Sequence, residues 1–200
     1  MLKLIVLASG RGSNLMAIQR AIEHDGLACR ILAVLSNKKD APALGFAAAK
    51  GIPALWVDPK VEGGRQVYEK NLLAAIDGFD SDCLVLAGYM LLLGAGFIRA
   101  YGKPILNIHP SLLPLFPGLS PHKEALEQGV RISGCTVHFV DAGIDTGPIV
   151  AQAAVPVFSS DDEDTLRDRI LQAEHKLYPA TLALMAQGRV KLEGRRVIII

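Results

Sequence analysis

The sequence predicts an α/β protein on a doubly wound, mostly parallel sheet, with antiparallel strands and a long helix towards the C-terminus. Apolar runs of strand length alternate with helical stretches over the first hundred residues, the pattern of parallel βαβ units with right-handed crossovers. After Pro110 the alternation gives way to a proline-rich loop, two strands, one long helix and a closing pair of short strands. Half of the 200 residues are hydrophobic and a fifth are charged, a globular balance with apolar side chains enough for a sizeable core.

Taken in order, Leu2–Ala8 reads as a buried strand, Ser9–Asn14 as a turn, and Leu15–Glu23 as a helix with Leu15, Ile18, Ala21 and Ile22 on one face. Arg30–Leu35 is the second strand, ending at Ser36-Asn37-Lys38. Pro42–Lys50 is a short helix that Gly51 closes, and Ile52–Val57 is the third strand. Arg65–Ile76 follows as a helix with Val67, Leu72 and Ile76 turned inward. Cys83–Ala87 and Pro104–His109 are the fourth and fifth strands, with a short helix over Gly96–Tyr101 between them.

Pro110–Pro121 holds four prolines and is expected to be a stiff irregular loop. Ser120-Pro121 starts a helix, serine capping and proline in the first turn. Cys135–Val140 and Ile149–Val157 form an antiparallel pair joined by Asp141–Pro148. The acidic run Ser159–Asp164 opens a helix reaching Gln187, with Leu166, Ile170, Ala173 and Leu177 at helical spacing; Pro179 is expected to kink or divide it. Arg189–Leu192 and Arg196–Ile200 close the chain as a hairpin. No composition shift marks a linker, so the chain reads as one domain, 1–200, in two halves, 1–103 and 104–200.

A formal charge of +1 lacks the basic excess of a nucleic-acid binder. Cys29, Cys83 and Cys135 have no CxxC spacing, which predicts reduced thiols, a cytoplasmic setting and no structural zinc. His24 and His122 lack a partner at zinc spacing, so no metal is expected. The uncharged stretch Cys83–Ile98 is broken by Gly88, Gly94 and Gly96 and falls short of the ~20 residues of a membrane-spanning helix.

The chemistry concentrates at Asn107 and His109. Two residues apart on a strand, they share a face, while Leu106 and Ile108 point the other way. Pro110 ends the strand just beyond them, at the carboxyl edge where open α/β sheets hold ligands. Asp145, in a glycine-flanked loop, is the acid expected to meet the imidazole. A carboxylate raises a histidine pKa, and an imidazolium with an amide N–H suits stabilisation of an oxyanion. No serine or cysteine is tied to the histidine, so the constellation suits acyl transfer to an amine that is its own nucleophile. His138, on a strand with Thr136 and Val140, reads as structural.

A second motif, Gly10-Arg11-Gly12-Ser13-Asn14, lies between strand and helix, where free N–H groups bind a phosphate. Leu15 stands where a dinucleotide fingerprint needs a small residue, and no Gly-Lys-Ser/Thr follows.

Three segments in this order and spacing resemble the phosphoribosylglycinamide formyltransferases, within the wider folate-dependent formyltransferase family. They are Ser9–Asn14, Asn107–Pro114 with Pro117-Gly118, and Gly134–Val140 continuing to Asp145-Thr-Gly-Pro148. The resemblance implies the formyltransferase fold and transfer of a formyl group from 10-formyltetrahydrofolate, as co-substrate, to the amine of 5-phosphoribosylglycinamide in purine synthesis. Another small amine, such as an amino sugar nucleotide, is the alternative acceptor. The implied catalytic residues are Asn107, His109 and Asp145, the last keeping His109 cationic. Gly12, Ser13, Asn14, Pro110 and Glu174 are implied for the ribonucleotide. Arg65, Met90, Leu91, Leu92, Leu93, Asn107, Val140, Asp141 and Asp145 are implied for the folate. Partners are small molecules, with a homodimer left open. Leu91 and Leu115 replace residues often basic in the family, which predicts weaker contact with anionic ligand groups.

Overall fold

The computed structural model describes residues 1–200. The elements of the first part are β1 (Leu2–Leu7), α1 (Ser13–His24), β2 (Cys29–Ser36), α2 (Pro42–Ala49), β3 (Ala54–Trp56), α3 (Gly64–Asp77), β4 (Cys83–Leu86), α4 (Ala95–Tyr101) and β5 (Ile105–His109). They continue with α5 (Pro121–Glu127), β6 (Ile132–Phe139), β7 (Ile149–Pro156), α6 (Glu163–Ala186), β8 (Val190–Glu193) and β9 (Arg196–Ile199). Seven strands form one sheet in the order β3-β2-β1-β4-β5-β6-β7, and β8 and β9 form a separate pair. The expected doubly wound, mostly parallel fold is the one found. Two compact units, Met1–Leu106 and Asn107–Ile200, are described in turn.

In the first unit β1 pairs in parallel with β2 on one side and β4 on the other, and β2 pairs in parallel with β3. Leu4–Leu7 and Cys83–Leu86 are buried along their whole length, as strands covered on both faces must be. The helices contribute Leu15, Ile18, Leu72, Ile76 and Phe97 to this core. Ile22 and Val67 are only partly covered; Tyr68, one residue further round α3, takes the place expected of Val67. Trp56, the sole tryptophan, stands half exposed on β3 with the Lys39 ammonium 5.6 Å from its ring centroid. No helix of the molecule is long and apolar enough to cross a membrane.

In the second unit β6 and β7 pair antiparallel, as expected, and α6 packs against both. The buried face of α6 is Leu166, Ile170, Glu174, Tyr178 and Leu182, joined by Thr181. It steps by four residues, so Ala173 and Leu177 lie at its margin rather than in its centre. Pro179 neither divides nor ends α6, which runs unbroken over 24 residues. Proline costs a helix one hydrogen bond, and here the packed side chains on either side, Tyr178 and Leu182, outweigh it. The N-cap of α6 is Asp162, which accepts Thr165 N–H at 2.8 Å while Thr165 Oγ1 accepts Asp162 N–H at 2.9 Å. Ser120 precedes α5 but makes no capping hydrogen bond with its side chain, contrary to expectation. Arg169 joins the Asp161 carboxylate through two bonds, at 2.6 and 2.8 Å, and lies over the Phe158 ring.

Candidate active site

The second unit gathers Asn107, His109, His138 and Asp145. Strand alternation turns Asn107 and His109 to one face of β5, and both reach the same carboxylate. His109 Nδ1 lies 3.3 Å from Asp145 Oδ2, and Asn107 Nδ2 lies 3.5 Å from Asp145 Oδ1. Asp145 holds this position with φ +52°, in the left-handed region that aspartate tolerates better than most residues. Its Oδ2 also accepts Gly118 N–H at 2.9 Å.

The loop after β5 is fastened by side chains of β6 and β7. Buried Thr136 donates to the Ser111 carbonyl at 2.7 Å and accepts Leu113 N–H at 3.0 Å. Gln152 donates to the Leu113 carbonyl at 2.9 Å. Beyond that clamp the chain returns so that the Phe116 carbonyl accepts from His109 Nε2 at 2.8 Å. A carbonyl is only an acceptor, so Nε2 carries a ring proton and Nδ1 is the nitrogen beside Asp145.

His109 is 4% exposed. Burial pushes its imidazole below the ordinary pKa; the Phe116 carbonyl and the Asp145 carboxylate raise it without cancelling that effect. This corrects one expectation from the sequence. Asp145 does act towards the cation, but desolvation prevails, and the resting ring is neutral at neutral pH. For Asp145 the balance falls the other way. Burial pushes its carboxyl up, yet the His138 ring, the Gly118 N–H and His109 together bring it below its ordinary value.

His138 belongs to this cluster more intimately than its strand position suggested. Its Nδ1 donates to the Phe139 carbonyl at 2.9 Å, and its Nε2 lies 3.2 Å from Asn107 Nδ2. Nε2 is also 3.6 Å from Asp145 Oδ1. The available signal was its alternation with Thr136 on a strand feeding the Asp145 loop. Glu174, which helical spacing placed ambiguously, is buried at 6% exposure on α6. Pro110 and Val140 are half-buried. Asp141 accepts Gly143 N–H at 3.0 Å and the Thr146 hydroxyl at 2.6 Å, and so shapes the loop carrying Asp145. Leu115 is exposed, and its carbonyl accepts the Ser111 hydroxyl at 2.5 Å.

The first unit carries the other expected residues. Gly12 caps α1 with φ +74°, and a Cβ there would lie 2.8 Å from Ala43 Cβ. Ser13 and Asn14 form the first turn of α1, with Asn14 buried; free N–H groups and the dipole at a helix start favour an anion. Arg65 Nη2 donates to the Leu92 carbonyl at 2.9 Å, and its Nε to Glu69 at 2.8 Å. Met90 and Leu92 are 60% and 56% exposed, while Leu91 is half-buried and Leu93 buried. A guanidinium next to exposed apolar side chains suits a flat aromatic ligand with an anionic tail. No group of three or more His, Cys, Asp or Glu has a metal-holding arrangement. Burial raises the thiol pKa to about 11 at Cys29 and about 12 at Cys83 and Cys135, so none is a nucleophile at neutral pH.

The formyl transferase family model matches residues 2–182. Phosphoribosylglycinamide formyltransferase of Escherichia coli is 41% identical over 191 residues, 96% of this chain and 90% of that protein. The crystal structure of glycinamide ribonucleotide transformylase 1 from Symbiobacterium toebii superposes with a TM-score of 0.97 at 45% identity, covering 100% of this chain and 94% of that one. The trifunctional purine biosynthetic protein adenosine-3 of Drosophila pseudoobscura is 45% identical over 94% of this chain, which spans only 14% of that longer protein.

Proposed function

The chain belongs to the formyl transferase family, and we propose that it transfers the formyl group of 10-formyltetrahydrofolate to the amine of 5-phosphoribosylglycinamide, a step of purine biosynthesis. The observation that carries this reading is the convergence of Asn107 and His109 on Asp145, in a family whose reaction moves a formyl group. The phosphate would rest on Gly12, Ser13 and Asn14, with Glu174 and Pro110 addressing the rest of the ribonucleotide. The folate would take Arg65, Met90–Leu93, Val140 and Asp141. Both substrates are small molecules. Three buried, unpaired thiols suit a reducing, cytoplasmic compartment.

The reaction is acyl transfer, and its barrier is the negative charge that appears on the formyl oxygen when the amine adds. Asn107 donates an amide N–H to that oxygen in exchange for its long bond to Asp145. His109 supplies a second N–H, from Nε2, in exchange for its bond to the Phe116 carbonyl, and the two donors act in a poorly solvated place where they count most. As the oxygen turns negative it offsets the burial that keeps His109 neutral, and the ring gains a proton at Nδ1 against the Asp145 carboxylate. The attacking amine loses one proton and the departing folate nitrogen takes one, so His109 relays a proton and ends as it began. The amine needs no covalent intermediate, and these N–H donors supply the charge stabilisation a metal would otherwise give.

The test is an assay of purified protein with both substrates. Equal amounts of formylated ribonucleotide and tetrahydrofolate are expected. Formylation of an amino sugar nucleotide in place of the glycinamide would reassign the acceptor, and no transfer to either would overturn the reading.

A further inference from the structure

Three adjacent strand ends of the first unit meet at one buried hydroxyl. Ser9, 2% exposed, follows β1, which lies between β2 and β4. The β1–β4 pairing stops at Leu7 and Leu86. Past it, Ser9 N–H donates to the Gly88 carbonyl at 3.0 Å. The Ser9 hydroxyl then accepts Met90 N–H at 2.9 Å and donates to Asn37 Oδ1 at 2.6 Å. Asn37, just after β2, is itself buried. The junction falls where the strand order of the sheet reverses, between the parallel neighbours β1 and β4, the crevice in which doubly wound sheets bind ligands.

What the hydroxyl fixes is informative. On one side it is joined to Met90, the first residue of the Met90–Leu93 segment, which exposes Met90 and Leu92. On the other it immediately precedes the Gly10–Asn14 turn, whose Gly10 carbonyl accepts Ala43 N–H at 3.2 Å. The backbone bond to Gly88 already continues the ladder, so sheet integrity does not call for the hydroxyl. Its two bonds set the spacing of two loops that leave neighbouring strands.

We infer that Ser9 is a positioning residue that presets the phosphate turn against the Met90–Leu93 segment, so that one hydroxyl serves the binding of both substrates. The inference rests on the function proposed above. A lost hydrogen bond that leaves a buried partner unpaired weakens whatever depends on it by about fivefold to tenfold, the lower part of the usual range. Ser9→Ala is therefore expected to raise the KM for the ribonucleotide and for the folate donor by about that factor each, with kcat changed less than about twofold. Ser9→Thr keeps the hydroxyl and restores both KM values.

Ser81→Ala is the control, because buried Ser81, 3.1 Å from the Tyr101 hydroxyl, precedes the opposite end of β4. It should lower the melting temperature and leave both KM values alone. Unchanged KM values in Ser9→Ala overturn the inference, as does an equal rise in Ser81→Ala. A wild-type protein that binds neither substrate overturns the functional reading and this inference together, whereas normal wild-type turnover with an indifferent Ser9→Ala removes the inference alone.

Discussion

Asp145 Oδ2 stands 3.3 Å from His109 Nδ1, yet the imidazole pKa is lowered rather than raised. The carboxylate is thus placed to receive a charge that arises during the reaction, not to maintain one at rest.

Removing the ring tests that role directly. His109→Ala should cut kcat by at least about 10²-fold, the typical cost of one oxyanion donor, with the far-ultraviolet circular dichroism unchanged. Asp145→Asn keeps the shape but not the charge and should also lower kcat, with a smaller effect on KM. Near-normal turnover in either variant would contradict the mechanism.

The pH profile has a definite sign. With the His109 pKa below its ordinary 6.5, kcat/KM should rise with pH through the mildly acidic range and be level by neutrality, because the neutral ring is the resting form. Asp145, with its pKa also lowered, stays ionised across that window. A rate that falls steadily from pH 6 to pH 8 would instead require a ring that is cationic at rest.

At the phosphate turn, Gly12→Ala combines an unfavourable positive φ with a Cβ 2.8 Å from Ala43 Cβ. Overpacking of this kind costs about 1–3 kcal/mol. The expected result is a KM for the ribonucleotide raised by about tenfold or more, a lower melting temperature and a smaller change in kcat. Isothermal titration with the ribonucleotide alone separates this loss from any effect on folate.

Stability in acid should report the Asp161–Arg169 pair. The Arg169 guanidinium, more than offsetting desolvation and helped by Phe158 N–H, holds the Asp161 carboxyl at about 2, against an ordinary 3.8. Since the folded pKa is the lower one, the pair's contribution is complete above about pH 4 and disappears as pH falls through about 2. Asp161→Asn should therefore melt earlier than wild type at pH 7, and the two curves should converge near pH 2. Scanning calorimetry across that window is the measurement.

How legible each feature was depends on the distance over which it is determined. The shared face of Asn107 and His109 was readable because strand alternation is local. Glu174 was ambiguous: four residues after Ile170 argues for burial and its charge for exposure, and only packing of α6 on β6 and β7 decides. Pro179 misled as a divider for a related reason, since the backbone rule is local while the side chains that keep the helix continuous are not. The protonation of His109 was unreadable, because desolvation is a property of the assembled fold. Ser9 and Asn37 are 28 residues apart; the strand-helix-strand pattern puts their strands in one sheet but not the register that brings the two side chains together.

Trp56 pairs in register with Ser36, next to Asn37, and has the Lys39 ammonium beside its ring. Being the sole indole, it gives the protein an unlabelled optical reporter on β3 beside the end of β2, just after which Asn37 accepts from the Ser9 hydroxyl. A shift of the Ser36–Lys39 segment moves a positive charge relative to the chromophore and so alters its emission. Stopped-flow fluorescence can thus time events at that corner of the sheet in the unmodified protein.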